Sequence, residues 1–254
     1  MLYMGWRVLR EVQNHREVSE LSEQQQLLAD LRDLDFLNAV LSQSGPFGRV
    51  AVVSSFGAES AVLLHQVAAV APQTPVIFID TQFHFDETLA YRDELVTQLA
   101  LQDVRSYSID PLSQKRLDPA RMLHLTNADR CCHARKVDVL TRALRDFDGW
   151  ISGQKRFQSS GRAGINRVDW DDERNKWKFN PLADWHSDDL EAYRIEHGLP
   201  HHPLRQFGYS SVGCAPCTSP IAADEDPRAG RWRGTQKLEC GLHRNPNIIA
   251  ASVA

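Results

Sequence analysis

The sequence predicts an α/β protein with an open, mostly parallel sheet, helices on both faces of that sheet and a mobile C-terminal arm. Two observations predict the sheet. Short runs of β-branched and apolar residues alternate with longer helical patterns, and a glycine-containing turn joins the first run to a helix. A third observation predicts the arm, because glycines, prolines and charges accumulate after residue 221.

The first elements follow from the spacing of apolar residues. Leucines and valines recur at three- and four-residue steps over residues 19–42, which predicts a single helix there. The run VAVV at residues 50–53 predicts the first strand, residues 58–71 the next helix and VIFI at residues 76–79 the second strand. This order of strand, glycine turn, helix and strand is that of a βαβ unit.

The alternation continues through the middle of the chain. The pattern predicts a helix at residues 86–101, a strand at 104–109, a helix at 129–147 with Asp129 as its N-cap, and a strand at 150–152. Ser187 is the predicted cap of a further helix, which ends before Gly198. We expect three regions, namely a helical segment packed on the core (1–48), an α/β domain (49–221) and the arm (222–254).

Bulk composition excludes several classes of protein. The chain is 42% hydrophobic and 24% charged, as soluble globular proteins are, and its net charge is −4. A protein that coats nucleic acid would be strongly basic. The apolar runs are too short to cross a bilayer, and the N-terminus lacks the apolar stretch of a secretory signal. We therefore expect a cytoplasmic protein that binds neither nucleic acid nor membrane and keeps its thiols reduced.

Four of the five cysteines form two pairs. Cys131 and Cys132 are adjacent, whereas Cys214 and Cys217 form a C-x-x-C motif. Adjacent cysteines cannot form an unstrained disulfide, so two such pairs in a reducing compartment indicate a metal site. A zinc pair is usually spaced C-x₂₋₄-C, while neighbouring cysteines can reach different irons of a cluster. The spacing favours an iron–sulfur cluster and leaves structural zinc open.

The fifth cysteine, Cys240, lies on the predicted arm in TQKLECGLH. Cationic neighbours such as Lys237 and His243 would activate its thiolate as a nucleophile. A thiol on a moving segment could reach a substrate and then meet another protein. A thiol–disulfide oxidoreductase that uses Cys214 and Cys217 is another reading, which the lack of a thioredoxin-like N-terminal βαβ context disfavours.

The turn SSFGAES at residues 54–60 follows a strand and opens a helix. Small residues there let backbone N–H groups approach a phosphate at the positive end of the helix dipole. Basic residues also collect near the cysteine motifs of this net-negative chain, which indicates an anionic ligand. They are Arg130, Arg135, Lys136, Lys155, Arg156, Arg162, Arg228, Arg231, Arg233 and Lys237.

Two resemblances add to this reading. Residues 55–60 resemble the SGGxDS loop of the ATP pyrophosphatases, with Phe56 and Glu59 as departures, which implies a fold like that of the adenine nucleotide alpha hydrolases and a nucleotide site without pyrophosphate-releasing chemistry. From about residue 49 to residue 243 the chain resembles the adenylyl-sulfate reductases, within the sulfonucleotide reductase family. The shared motifs are CC with Arg135 and Lys136, GQKRFQSSGR at 153–162, GCAPC at 213–217 and RWRGTQKLECGLH at 231–243.

The second resemblance implies a reaction of sulfate assimilation and cysteine biosynthesis. Adenosine 5′-phosphosulfate (APS) would be reduced to sulfite and AMP through an S-sulfocysteine on Cys240, with thioredoxin or glutaredoxin as reductant. The implied ligands of a four-iron four-sulfur (4Fe–4S) cluster are Cys131, Cys132, Cys214 and Cys217. The implied substrate-binding residues are Ser55, Gly57, Glu59, Ser60, Thr81, Lys136, Arg156, Arg162, Arg228, Arg231 and His243, of which Lys136, Arg228, Arg231 and His243 would supply positive charge at the sulfate.

Several alternatives stay open. The spare arginines would also suit the 3′-phosphorylated substrate (PAPS), so a PAPS reductase or an enzyme of dual specificity is an alternative. A zinc-stabilised nucleotide-binding protein without turnover is an alternative from another class. The family includes dimers and tetramers, which is compatible with a homo-oligomer. After the second strand the family has a glycine where this chain has Gln82, so a differently shaped turn is expected there.

Overall fold

The computed structural model describes residues 19–237 and 239–243. Its sheet has six strands in the order β3-β2-β1-β4-β6-β5. The strands are β1 (Val50–Ser54), β2 (Val76–Ile79), β3 (Val104–Tyr107), β4 (Gly149–Ser152), β5 (Val168–Asp171) and β6 (Lys176–Phe179). All neighbouring pairs are parallel except β5 with β6, which is antiparallel. The predicted open, mostly parallel sheet is therefore confirmed.

Helices cover both faces of the sheet. They are α1 (19–29), α2 (Asp33–Leu41), α3 (Ser60–Val70), α4 (Asp86–Gln98), α5 (Pro111–Leu117), α6 (Leu123–Thr126), α7 (Ala128–Cys132), α8 (Asp138–Ala143) and α9 (Ser187–Glu196). A π-helical turn, His133–Val137, joins α7 to α8. Short 3₁₀ turns lie at Arg156–Gln158, Ser160–Arg162, Pro203–Phe207 and Ala215–Cys217. None of the described helices is both long enough and apolar enough to cross a membrane.

Two apolar clusters fill the space on the two faces of the sheet. Alternate residues of a strand point to opposite faces, so in β4 Ile151 joins one cluster and Trp150 the other. Phe36 of α2 and Phe179 of β6 pack edge to face in the first cluster, with ring centroids 6.5 Å apart. Leu140 of α8 lies in the second cluster. Burial on both faces explains why β1 and β2 are continuous apolar runs.

Three local predictions are wrong. Residues 19–42 form two helices, since the chain turns at residues 30–32 and so brings both Leu28 and Phe36 into one cluster. Asn127 caps α7 in place of Asp129, because its side chain accepts a 2.9 Å hydrogen bond from the backbone N–H of Arg130. His186, and not Ser187, is the N-cap of α9. Residues 1–18, 238 and 244–254 of the predicted N-terminal segment and arm lie outside the described residues.

The sequence pattern also missed β5 and β6, which form an antiparallel edge of the sheet. Their residues are rich in charge, but Trp170 and Trp177 face each other across the pair with ring centroids 5.1 Å apart. Buried polar contacts stabilise this edge, since Trp150 Nε1–H donates to Asp171 Oδ2 at 3.0 Å and Arg174 lies 2.9 Å from the same oxygen.

Two residues occupy left-handed backbone positions where the related families carry glycine. Phe56 follows β1 with φ +47°, and Gln82 follows β2 with φ +63°. Phe56 is fully buried and packs edge to face on Phe78. Gln82 accepts a 3.1 Å hydrogen bond from Arg135 Nη1 at its side-chain oxygen, and its backbone N–H donates to Asp80 Oδ1 at 2.7 Å. The turn therefore keeps the conformation that glycine favours, and side-chain contacts offset its strain.

This geometry predicts an unusual order of stability at residue 82. Gln82→Ala keeps the strained φ and loses the hydrogen bond to Arg135, whereas Gln82→Gly relieves the strain of about 1 kcal/mol. We expect the glycine variant to be more stable than the alanine variant by about 1 kcal/mol in urea unfolding.

Residue 94 provides the matched control, since Glu94 is exposed within α4. There alanine should be more stable than glycine by about 1 kcal/mol, the usual order in a helix. The same order at residue 82 would contradict the left-handed turn.

Candidate functional site

A cleft with a volume of about 230 Å³ lies at the carboxyl ends of β1, β2 and β4. The chain runs from β1 towards β2 and β3 and then returns to place β4 on the other side of β1. Ligands of open α/β sheets bind where the strand order reverses in this way. Each of the loops that follow these strands contributes to the walls, with residues 55 and 57–60 after β1, Thr81 after β2 and residues 153–155, 157 and 158 after β4.

The cleft brings together nearly all of the residues that the sequence indicated. The predicted nucleophile Cys240 lines it. So do the predicted substrate-binding residues Ser55, Gly57, Glu59, Ser60, Thr81, Lys136, Arg162, Arg228, Arg231 and His243. Arg156 does not, because its side chain turns to an ion pair with Asp184 and a 2.8 Å hydrogen bond to the carbonyl of Ile165. Arg156 therefore stabilises the loop after β4 through these contacts and does not face the cleft.

Glu59 is held by partners that the sequence did not identify. Its carboxylate lies 2.8 Å from Lys155 Nζ and accepts a 2.7 Å hydrogen bond from Gln158 Nε2. Lys155 is 2% exposed, and burial lowers its pKa while the charge of Glu59 acts to raise it. The ion pair fixes the loop after β4 to the loop after β1. Both Lys155 and Gln158 lie in the motif GQKRFQSSGR, in which only Arg156 and Arg162 are predicted to bind the substrate.

The four paired cysteines line a second, small cavity beside the cleft. Its walls include Cys131 and Cys132 of α7 and Cys214 and Cys217 of the GCAPC loop. None of the four forms a disulfide bond. Thr81, Lys136, Cys214 and Trp232 line both this cavity and the cleft, so they form the partition between the two.

The chemistry of these thiols suits a bound cationic group. Burial, with the neighbouring Cys132, raises the pKa of Cys131 to about 12, and burial raises the pKa of Cys132 to about 11. Four thiolates would repel one another in this cavity unless a metal centre balanced their charge. Within residues 19–237 and 239–243, no group of three or more His, Cys, Asp or Glu side chains is already arranged to hold a metal ion. Four cysteines around one cavity are nevertheless the donor set that an iron–sulfur cluster takes.

Lys136 is the cationic side chain in the partition between the cleft and the cysteine cavity. Burial opposes its charge, but Cys214, Cys240 and Cys132 outweigh burial and raise the pKa of Lys136, so the ammonium group is retained. Burial likewise opposes ionisation of Cys214, yet Lys136 and the Thr81 hydroxyl, 3.3 Å from the sulfur, lower the pKa of this thiol. The π-helical turn positions Lys136, since π turns redirect side chains at functional sites.

Arg135, next to Lys136, fixes the cysteine helix to the sheet. The side chain is 1% exposed and donates to Asp118 Oδ2 at 2.8 Å and to the carbonyl of Thr81 at 3.2 Å. The guanidinium also lies 4.6 Å from the centroid of the Phe83 ring. Breaking such a buried ion pair by removing one partner typically costs several kcal/mol. Arg135 is therefore a structural residue that holds Cys132 and Lys136 against the turn after β2.

Backbone pairing joins the arm to the GCAPC loop. Ser219 N–H donates to the carbonyl of Gly230 at 2.9 Å, Trp232 N–H donates to the carbonyl of Cys217 at 3.0 Å, and Thr218 and Arg231 form a β-bridge. Trp232 is 5% exposed. Through this pairing the arm is seated on the cysteine loop, and the residues after it enter the cleft.

His243 ends the described part of the arm. Its ring stacks on Trp150 with centroids 5.5 Å apart. Burial lowers the pKa of His243 well below its usual value, and the charges of Lys178 and Arg162 lower it further. The ring is therefore neutral near pH 7 and offers a hydrogen bond, and the prediction that His243 supplies positive charge is wrong. Its Nδ1 is buried and has no hydrogen-bond partner among the described residues.

Comparisons with known proteins agree with this arrangement. The model of the phosphoadenosine phosphosulfate reductase domain matches residues 49–220. An adenosine 5′-phosphosulfate reductase of Mesorhizobium japonicum is 45% identical over 194 residues, 76% of this chain and 76% of the relative. A phosphoadenosine 5′-phosphosulfate reductase of Gloeobacter violaceus is 43% identical over 200 residues, 77% of this chain and 82% of the relative.

A solved structure supports the fold. The crystal structure of phosphoadenylyl-sulfate (PAPS) reductase from Candida auris, in complex with phosphate, superposes with a TM-score of 0.65. It covers 79% of this chain and 96% of the other, at 22% identity. The predicted fold class is thereby confirmed.

The seating of the arm can be tested at Gly230. A Cβ atom at this residue would lie 2.1 Å from the carbonyl oxygen of Ser219, so Gly230→Ala must disrupt the pairing. Overpacking of this kind costs about 1–3 kcal/mol. We expect trypsin to cleave the arm about ten-fold faster in this variant, because the released segment is exposed more often.

Gly164→Ala is the matched control, since a Cβ there would meet no atom within 4 Å. Its cleavage rate should equal that of the unsubstituted protein. Equal rates in Gly230→Ala and Gly164→Ala would show that the arm is not seated by this pairing.

Proposed function

Because the chain belongs to the phosphoadenosine phosphosulfate reductase domain family, we propose that it reduces APS to sulfite and AMP. One observation carries this proposal. Cys240 lies in the cleft at the strand ends together with Lys136, Arg228 and Arg231, so an anionic nucleophile and cations for an anionic substrate share one space. The enzyme class is an oxidoreductase that acts on a sulfur group.

The loops after β1 and β2 would bind the nucleotide. Backbone N–H groups around Gly57, at the start of α3, suit a phosphate, and Thr81 lies across the cleft. Lys155 neutralises Glu59, which would otherwise repel an anionic ligand. The phosphate of APS would therefore lie near the start of α3, and its sulfo group would be directed towards Arg162 and the arm.

Cys240 would then take the sulfo group. Its thiolate attacks the sulfur of the sulfate group, an S–S bond forms, the S–O bond to the phosphate breaks and AMP leaves with the bonding electron pair. Lys136, Arg228 and Arg231 would stabilise the negative charge that accumulates as two anions approach. Neutral His243 would donate or accept a hydrogen bond beside the reacting groups. The product on the enzyme is an S-sulfocysteine.

Sulfite release requires a dithiol, for which we propose thioredoxin or glutaredoxin. One thiolate of the partner attacks the sulfur of Cys240, sulfite leaves, and a mixed disulfide forms. The second thiol of the partner resolves that disulfide, regenerates the Cys240 thiol and leaves the partner oxidised. The two electrons that reduce the sulfo group to sulfite thus come from the dithiol.

We also propose that Cys131, Cys132, Cys214 and Cys217 hold a 4Fe–4S cluster. The support is the cavity that all four cysteines line, together with the all-cysteine donor set that such clusters take. When bound, the cluster would contribute charge and rigidity beside the substrate rather than electrons. Lys136, in the partition, would carry that electrostatic influence into the cleft.

A second candidate is reduction of PAPS, or of both substrates. The relative from Gloeobacter violaceus, named as a PAPS reductase, supports it, because its 43% identity is close to the 45% of the APS reductase from Mesorhizobium japonicum. The partly buried arginines of the cleft, Arg162, Arg228 and Arg231, would provide charge for a 3′-phosphate. Substrate preference must therefore be measured directly.

The reaction is tested by sulfite release from APS and PAPS in parallel, with anaerobically purified protein and thioredoxin. We expect turnover of APS and a loss of at least about a thousand-fold in Cys240→Ser, since serine is a far weaker nucleophile. Comparable turnover of PAPS would assign dual specificity. No sulfite from either substrate would refute the proposed function.

The cluster is tested by iron content and visible absorption of Cys132→Ser. We expect loss of iron, of the brown colour and of activity together, because one ligand is removed. Cys240→Ser is the matched control and should keep its iron, as Cys240 is not a proposed ligand. A colourless wild-type protein that contains zinc, or a brown and fully active Cys132→Ser, would be incompatible with the cluster.

A further inference from the structure

The residue directly before Cys240 places a carboxylate in the cleft. Glu239 Oε1 lies 2.8 Å from Arg162 Nε, Oε2 lies 3.0 Å from Arg162 Nη2, and Oε2 also lies 3.2 Å from Arg228 Nη2. A planar anion thus bridges two guanidinium groups. Neither the sequence pattern nor the proposed reaction gives this carboxylate a role.

The Arg162 side chain has little capacity left for another anion. Its Nε and Nη2 atoms form the edge of the guanidinium group that binds an anion through two parallel hydrogen bonds, and both atoms donate to Glu239. Its Nη1 donates to Gln158. The Arg162 side chain is 11% exposed, so solvent cannot replace these contacts freely. A phosphate or sulfate group can bind this edge of Arg162 only when Glu239 leaves it.

Glu239 is charged while it lies there. Burial opposes its ionisation, but the hydrogen bond and charge of Arg162, with Arg228, lower its pKa. A carboxylate with two oxygens on one arginine edge has the same recognition chemistry as two oxygens of a phosphate or sulfate group. The ligand-free protein therefore fills its own anion subsite.

We propose that Glu239 is a displaceable latch which occupies the subsite for the phosphosulfate group of the substrate until the substrate replaces it. The inference rests on the proposed function. Since Glu239 and Cys240 are adjacent in the chain, release of the carboxylate changes the position of Cys240 in the same step. Binding of the anion and presentation of the nucleophile are thereby coupled.

The latch would also discriminate between ligands by their charge. A neutral nucleoside cannot replace a carboxylate on Arg162 and Arg228, so it would bind beside the closed latch. The phosphosulfate competes for the same guanidinium edge and opens it. If the latch is closed about nine-tenths of the time, it weakens the apparent affinity for the substrate about ten-fold.

A merely structural role for Glu239 predicts the opposite sign. If the carboxylate held Arg162 and Arg228 in place for the substrate, then removing its charge would disorder them and weaken binding of the anion. If it competes with the substrate, then removing its charge strengthens binding. Glu239→Gln keeps the size of the side chain and removes the charge, so the direction of the change in Kd separates the two roles.

The control lies on the same arm. Glu225 forms a similar two-oxygen pair with Arg233, at 2.8 and 3.0 Å, and does not line the cleft. Glu225→Gln removes the same charge from the same segment. Any effect of net charge or of arm stability would appear in both variants, whereas competition would appear at Glu239 alone.

The experiment measures Kd by calorimetry for APS and for adenosine, in proteins that carry Cys240→Ser to prevent turnover. We expect Glu239→Gln to bind APS about ten-fold more tightly, with adenosine unchanged, and Glu225→Gln to change neither.

Unchanged or weaker APS binding in Glu239→Gln would overturn the latch, provided that the Cys240→Ser protein with Glu239 intact binds APS. Failure of both proteins to bind APS or PAPS would instead overturn the proposed function, and the latch with it. The two failures are therefore distinguishable.

Discussion

The site depends above all on the backbone pairing between residues 217–219 and 230–232. This short antiparallel contact connects the GCAPC loop, which carries two of the four paired cysteines, to the arm, which carries Cys240. Gly230 is required at the contact because the carbonyl of Ser219 leaves no room for a side chain. Trp232, the last residue of the pairing, is buried and lies in the partition between the cysteine cavity and the cleft. The cysteine cavity and the nucleophile are thus parts of one assembly.

Charge is arranged so that cations are held in place before a ligand arrives. Several cations that face the cleft or the cavity have a carboxylate partner, as Lys155 has Glu59, Arg162 has Glu239 and Arg135 has Asp118. A chain with a net charge of −4 can in this way concentrate positive charge at one point. In the proposed latch, ligand binding would be an exchange of anions, in which Glu239 is the partner that lies next to Cys240.

The sequence predicted β1, β2, β3 and β4, and the cysteine grouping, because these depend on local residue patterns and on residue chemistry. It did not reveal β5 and β6, where Asp171 and Lys178 are buried charges that only cross-strand partners explain. It placed Arg156 in the site, since a motif does not tell which arginine turns back to Asp184. The neutral state of His243 and the position of Glu239 depend on contacts between distant segments, which periodicity cannot show.

In the proposed reaction the seated arm would present Cys240 to the sulfur of the substrate. This is tested most directly by the mass of the protein after incubation with one equivalent of APS in the absence of reductant. We expect a gain of one SO₃ group, located on the peptide that contains Cys240, with an equal amount of AMP released. An unmodified protein with AMP released, or an adduct on one of the four paired cysteines, would contradict it.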